Sequence, residues 1–245
     1  MENDERIFSA RLYQLMAQML RYPTDVRQLE EGVRALQGLF AEGSAEHGLC
    51  ARMLEALRDD DAAGAAGSGV AAGSGAAAGS GVAAGDAAAS AAAGSGAATL
   101  QALQVDYTAL FIGSFKMWAP PYASYYLDGE GQLGGESTLK VERAYREGGR
   151  MLNQEHKQPG DHVATMCEFL FDLLRRSAQA AEAGRAEEAA ALEGRAAAFH
   201  ATYLASWMYP FARLVGDHAG TSFYRALGEL VPLAVVEDAL FPTKE

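Results

Sequence analysis

The six apolar residues that come after Pro159 constrain the fold of this chain more than any other feature. Val163, Met166, Cys167, Leu170, Phe171 and Leu174 fall at positions i, i+3, i+4, i+7, i+8 and i+11. That spacing is an unbroken stripe on a 3.6-residue helix, so the segment predicts a long helix with one face in a core. The same period recurs elsewhere. Phe8, Leu12, Leu15, Met16 and Met19 predict a first helix stopped by Pro23. A second is expected over Asp25–Phe40 and a third over Ala45–Arg58. Leu100, Leu103, Tyr107, Leu110 and Phe111 make another stripe, ended by Gly113. Ser137 or Thr138 is expected to cap a helix carrying Leu139, Val141, Ala144 and Tyr145, with Gly148-Gly149 as its terminator. Ala and Glu dominate 178–198, a helix-favouring composition. Leu204, Trp207, Met208 and Phe211 line a further run that Pro210 bends or breaks, and Thr221 is placed to cap a last helix with Phe223, Tyr224, Leu227 and Leu230. No segment alternates as a strand would. The expected fold class is all-α, one domain over 1–245 of about eight to ten helices.

One segment stands apart. From Ala62 to Ala98 every residue is Ala, Gly or Ser except Val70, Val82 and Asp86, and GSGVAAG occurs twice, at Gly67–Gly73 and Gly79–Gly85. Almost no side chain here can offset the backbone entropy lost on ordering, so 62–98 is expected to be a disordered, low-complexity insertion in a loop. The rest, about 208 residues, suffices for one sizeable core.

Charge and cysteine usage exclude several functions. A net charge of −12 opposes nucleic-acid and anionic-membrane binding, which need basic surface, and suits a cationic peptide. Cys50 and Cys167 stand at no metal-ligand spacing, and Cys167 falls on the apolar stripe. The opening MENDERIFSA is acidic where an export signal is basic and then apolar, so the expected location is cytoplasmic. None of the five histidines (His47, His156, His162, His200, His218) forms a zinc motif, and no phosphate loop or nucleophile elbow occurs. No cofactor, metal or catalytic residue is expected.

The candidate site lies in DYTALFIGSFKMWAPPYASYYLDGEGQLGGESTLKVERAYREGG, from Asp106 to Gly149. Loops are usually polar, yet Phe115, Trp118, Tyr122, Tyr125 and Tyr126 cluster around Pro120-Pro121. Two readings stand side by side: a binding surface, or rings that cap the core of a helical domain. Asp161-His162, at the start of the strongest helix, is the other candidate. The pair is either a helix cap with a satisfied histidine, or an exposed anion that receives a guanidinium.

Two blocks carry a family resemblance. One is LFIG at Leu110–Gly113 followed by PPYASYYLDGEGQLGGEST at Pro120–Thr138 and Tyr145-Arg146; the other is PGDH at Pro159–His162 with Glu168-Phe169 beyond it. Together they resemble the TorD/DmsD/NarJ group of redox-enzyme maturation chaperones. The resemblance implies an all-helical cytoplasmic protein that binds the twin-arginine signal peptide of a molybdoenzyme and holds the client until its cofactor is inserted. It places Phe115, Pro120, Pro121, Tyr122, Ser124, Tyr126, Asp161 and His162 around the signal-peptide groove, and Trp118 joins them as a trough aromatic. Asp128 or Glu136 are possible further acceptors. Ala123, Met166 and the 62–98 insertion depart from the family pattern. Two other functions compete with this one: an assembly factor that binds the folded catalytic subunit, and a nucleotide-handling enzyme using Asp161 and His162. As the insertion carries no expected packing, replacing Ala62–Ala98 by a short linker should leave the melting temperature nearly unchanged in a calorimetric scan.

Overall fold

The computed structural model describes residues 1–58, 99–113, 116–129, 131–153 and 158–237. The insertion expected at 62–98 lies outside the described residues. Among those described the chain is all-α, and its only extended pairing is one antiparallel bridge, Tyr122 to His162.

The helices run in order as α1 (Asn3–Met19), α2 (Val26–Gln37), α3 (Ala45–Arg58) and α4 (99–107), the last continuing into a π turn at Thr108–Ile112. Then come α5 (Ala123–Leu127), α6 (Glu136–Glu147), α7 (Val163–Glu182) and α8 (Ala186–Phe199). A π turn at His200–Leu204 leads into α9 (Ala205–His218), and α10 (Ser222–Pro232) ends in a last π turn at Leu233–Glu237.

α7 is the axis of the bundle. Its stripe of Val163, Met166, Cys167, Leu170 and Leu174 is buried, and Phe171 is half-buried. α1 lies along it, burying Leu12, Tyr13, Leu15, Met16 and Met19, and α8 packs on its other side. The Ser177 hydroxyl donates to the Ala189 carbonyl at 2.8 Å, tying α7 to α8 through a side chain small enough for close approach. α10 bridges α9 and α3. A Cβ at Gly228 would sit 3.1 Å from the Ala212 carbonyl oxygen, so that crossing needs glycine. One contiguous apolar cluster extends from Ala10 to Val235 and draws on every helix. Each buried aliphatic or aromatic side chain in it contributes roughly 1.5–3 kcal/mol of transfer free energy.

The expected cap at Thr221 and terminator at Gly113 hold, and Asp25 supplies a further cap. Asp25 caps α2, accepting from the Arg27 N–H at 2.8 Å, and Thr221 caps α10 from the Tyr224 N–H at 3.4 Å. Gly113 closes the π turn with φ of 55°, and its Cβ would fall 2.2 Å from the Lys116 carbonyl oxygen, so no other residue fits.

One expectation needs correction, and two others are narrowed. α6 begins at Glu136, so Ser137 and Thr138 are inside it and buried, and the cap is supplied from outside. Asp128 accepts from the Ser137 N–H at 3.0 Å and from its hydroxyl. The cap comes from an aspartate nine residues upstream. The Ala/Glu run of 178–198 is two helices: α7 ends at Glu182, Gly184 takes φ of 72°, and α8 starts at Ala186. Pro210 neither ends nor breaks its run but lies inside α9.

A buried carboxylate holds the far end of the bundle. Asp106 on α4 accepts from the Gly220 N–H (2.9 Å), the Thr221 N–H (2.8 Å) and the Thr221 hydroxyl (2.7 Å), anchoring the start of α10. Asp106→Ala strips these donors of their partner. It should cost about 1–3 kcal/mol in urea unfolding, whereas Arg213→Ala, in an exposed pair with Asp217, should leave the midpoint unchanged.

Candidate functional site

The π turn at Thr108–Ile112 delivers the chain into the proline loop, and the loop is then pinned on both sides. Toward α4, the Ala119 N–H donates to the Leu110 carbonyl at 2.8 Å and the Trp118 N–H to that of Ala109 at 3.4 Å. Toward α7, the Val163 N–H donates to the Pro121 carbonyl at 2.8 Å and the Ala123 N–H to that of Asp161 at 3.1 Å. These are the two bonds of the Tyr122–His162 bridge. Pro120 and Pro121 lack N–H donors and have restricted φ, so buried backbone here leaves few groups to satisfy.

Side chains complete this junction. Asp161 Oδ2 accepts from the Ser124 N–H at 2.7 Å, capping α5, while Ser124 Oγ accepts from the Gly134 N–H at 3.2 Å. His162 caps α7: its Nδ1 accepts from the Ala164 N–H at 3.2 Å, and its ring meets Tyr122 edge-on at 5.3 Å. The Tyr145 hydroxyl donates to the Gly160 carbonyl at 2.7 Å. Burial, and then the nearby Asp161 charge, raise the Tyr122 phenol above its ordinary range, so it remains a neutral donor at physiological pH.

The candidate residues therefore separate by exposure. Tyr122, Ser124, Asp161 and His162 come together as a buried cluster, with Pro120 and Pro121 buried beside it. Asp161 is 0% exposed, so the exposed anion considered from the sequence is not what the fold makes of it. The carboxylate is drawn inward because the start of α5 offers N–H groups there, and a helix N-terminus stabilises negative charge. Its other oxygen, Oδ1, is buried with no hydrogen-bond partner among the described residues. Tyr126 is half-buried and stacks on Trp207 at 5.1 Å and 18°. Among the described candidates Trp118 is the exposed one, at 41%. Its ring lies 4.4 Å from that of His218, and the Lys116 ammonium stands 4.3 Å over it. Phe115 and His156 lie outside the described residues. Asp128 is committed to capping α6, and Glu136 pairs with Lys140 at 2.9 Å.

An aromatic chain runs under the loop, from Tyr22 to Tyr107 (5.3 Å), Phe111 (4.8 Å), Phe211 (6.0 Å), Trp207 (5.6 Å) and Tyr126 (5.1 Å). Its exposed end, Tyr22, opens on a cleft of about 610 Å³ between the C-terminal end of α1, the start of α2 and α7. Arg21, Asp25 and Glu168 bring charge to this cleft, Leu29 and Phe171 apolar surface, and Arg21 is ion-paired with Glu168. Sequence reasoning missed the cleft. The one available signal is Glu168 itself, a lone carboxylate between the apolar pairs Met166-Cys167 and Phe169-Leu170. Among the described residues no His, Cys, Asp and Glu gather as a metal site, and no helix is long and apolar enough to cross a membrane.

Comparison with known proteins agrees with the two sequence blocks. The nitrate reductase delta subunit family matches residues 77–213. The chain is 34% identical to the Tat proofreading chaperone DmsD of Salmonella paratyphi A over 137 residues, 56% of this chain and 60% of that protein. It is 33% identical to the chaperone protein TorD of Vibrio vulnificus over 129 residues, 53% of this chain and 59% of that one. The chain thus spans about three-fifths of the length of these curated relatives. A solved chain from Archaeoglobus fulgidus aligns over 91% of each molecule at 18% identity, with a TM-score of 0.49.

Buried and exposed members of the candidate set should respond differently to substitution. Asp161→Ala removes the partner of the Ser124 N–H and should destabilise by about 1–3 kcal/mol in chemical denaturation. Trp118→Ala should cost less than about 1 kcal/mol, as expected of a surface ring.

Proposed function

This chain belongs to the nitrate reductase delta subunit family, and on that premise we propose that it is a maturation chaperone for a redox enzyme. It binds the twin-arginine signal peptide of a molybdenum-dependent oxidoreductase on the cytoplasmic side and retains the client until its cofactor is in place. The names of its relatives, a Tat proofreading chaperone and a TorD chaperone, support this reading. The observation that carries it is the exposed Trp118 ring on a loop held rigid from both sides. An apolar anchor presented without mobility loses little entropy when a peptide covers it.

The candidate residues divide the work. Trp118 contacts the apolar stretch of the signal, the half-buried Tyr126 adds to that surface, and Pro120-Pro121 stiffen it. Tyr122, Ser124, Asp161 and His162 position the loop against α7. The net charge of −12 attracts a basic segment at long range. A client must later be released, which calls for moderate affinity, roughly micromolar or about 8 kcal/mol. No catalytic step enters this function: His162 is buried and its Nδ1 is committed to capping α7, so Asp161 and His162 are poorly placed to act on a nucleotide.

Isothermal titration with synthetic peptides bearing an Arg-Arg pair and an apolar stretch, beside Lys-Lys versions, tests the proposal. Binding of the first in the micromolar range, weakened at least fivefold by Trp118→Ala, is the expected result. If no such peptide binds while the folded catalytic subunit without its signal does, the chaperone reads the folded enzyme instead.

A further inference from the structure

Asp161 cannot receive a client guanidinium from solvent, since it is fully buried and one of its oxygens is bonded to the Ser124 N–H. An arginine-bearing peptide therefore needs another acceptor. We infer that Glu168, in the cleft between α1, α2 and α7, receives an arginine of the signal peptide, and that Arg21 occupies this carboxylate until the client displaces it. The inference rests on the signal-peptide reading above and assigns the chemistry that reading leaves open.

Four observations converge on the cleft. First, Glu168 already holds a guanidinium, that of Arg21, so its carboxylate is reachable by that group. Second, both partners are substantially exposed, Arg21 at 57% and Glu168 at 41% of their side chains. Pairs this solvated contribute little net stability, so an incoming arginine meets only a weak internal competitor. Third, Glu168 and Asp25 carry two negative charges into the cleft against the single positive charge of Arg21. Displacing Arg21 from the carboxylate leaves a pocket complementary to a cation, and Tyr22, Leu29 and Phe171 offer apolar surface for the aliphatic stem. The volume, about 610 Å³, lies within the roughly 300–1,000 Å³ range of pockets that hold small groups.

Fourth, the cleft is structurally continuous with the proline loop. Glu168 is six residues beyond His162 on α7, about 9 Å along the axis at 1.5 Å per residue. Tyr22, at the cleft edge, packs on Tyr107 at 5.3 Å; the Tyr107 hydroxyl donates to the Leu20 carbonyl beside Arg21 at 3.3 Å, and its ring meets Phe111, at the entry to the loop, at 4.8 Å. An extended peptide covers about 3.3 Å per residue. About three extended residues span that axial distance, and a few more pass round α7, since six residues at about 100° each put Glu168 on a different face from His162. Arg21 would act as a filter, since a lysine offers no planar fork to replace the guanidinium it displaces.

The test is a double-mutant cycle by isothermal titration on the full chain, using the Arg-Arg and Lys-Lys peptides and the variants Arg21→Ala, Glu168→Gln and both together. Circular dichroism confirms that each folds. Arg21→Ala is expected to tighten Arg-Arg binding about two- to fivefold by removing the competitor. Glu168→Gln should weaken it about three- to tenfold and flatten its salt dependence. In the Glu168→Gln background Arg21→Ala should have no further effect, because the two changes act on one carboxylate. Additive effects, a loss of affinity in Arg21→Ala, or cleft variants within twofold of the parent would overturn the inference. If Trp118→Ala weakens binding while the cleft variants are silent, the signal-peptide reading stands and the cleft assignment falls. Absence of binding by the parent chain removes both.

Discussion

Asp161 joins two parts of the chain that are far apart in sequence and otherwise share little backbone. Its carbonyl accepts from Ala123, its carboxylate from Ser124, and the adjoining Val163 N–H reaches back to Pro121. These three bonds put the start of α7 against the exit of the proline loop. α7 is the helix on which α1 and α8 pack, so the loop inherits the rigidity of the bundle axis. The cost is a buried carboxylate with one oxygen unpartnered among the described residues. That cost is offset by bonds to the N-terminal end of α5, where aligned peptide dipoles favour negative charge.

The aromatic residues serve the same junction in a different way. Tyr107, Phe111, Phe211, Trp207 and Tyr126 connect ring to ring beneath the loop, and the Trp207 indole N–H finds the Tyr203 carbonyl in the π turn before α9 at 2.6 Å. Edge-to-face and stacked contacts each add roughly 0.5–1.5 kcal/mol beyond burial. Two π turns adjoin these rings: Thr108–Ile112 contains Phe111, and His200–Leu204 precedes Trp207.

The rings of the proline loop divide by burial, which composition left open. Tyr122 caps the core and Trp118 faces solvent, although the two stand four residues apart in an equally apolar stretch. Likewise Asp161-His162 supplies helix caps, but the aspartate caps α5 and the histidine caps α7, a division that spacing alone does not reveal. Glu168 and Arg21 are separated by 147 residues, and only the packing of α1 on α7 makes them neighbours.

Local sequence by itself determined the all-α class, the core faces of α1 and α7, the extent of α3 and the cap at Thr221. Each depends on residues within a turn or two of one another, where geometry follows from local sequence. The family resemblance, too, was legible in two short blocks. The tertiary structure alone decided which aromatic is exposed, where the α6 cap comes from, why the Ala/Glu run breaks at Gly184, and that Asp161 faces inward while Glu168 faces a cleft. Burial and charge pairing are set by what packs against a residue, and those partners come from distant parts of the chain.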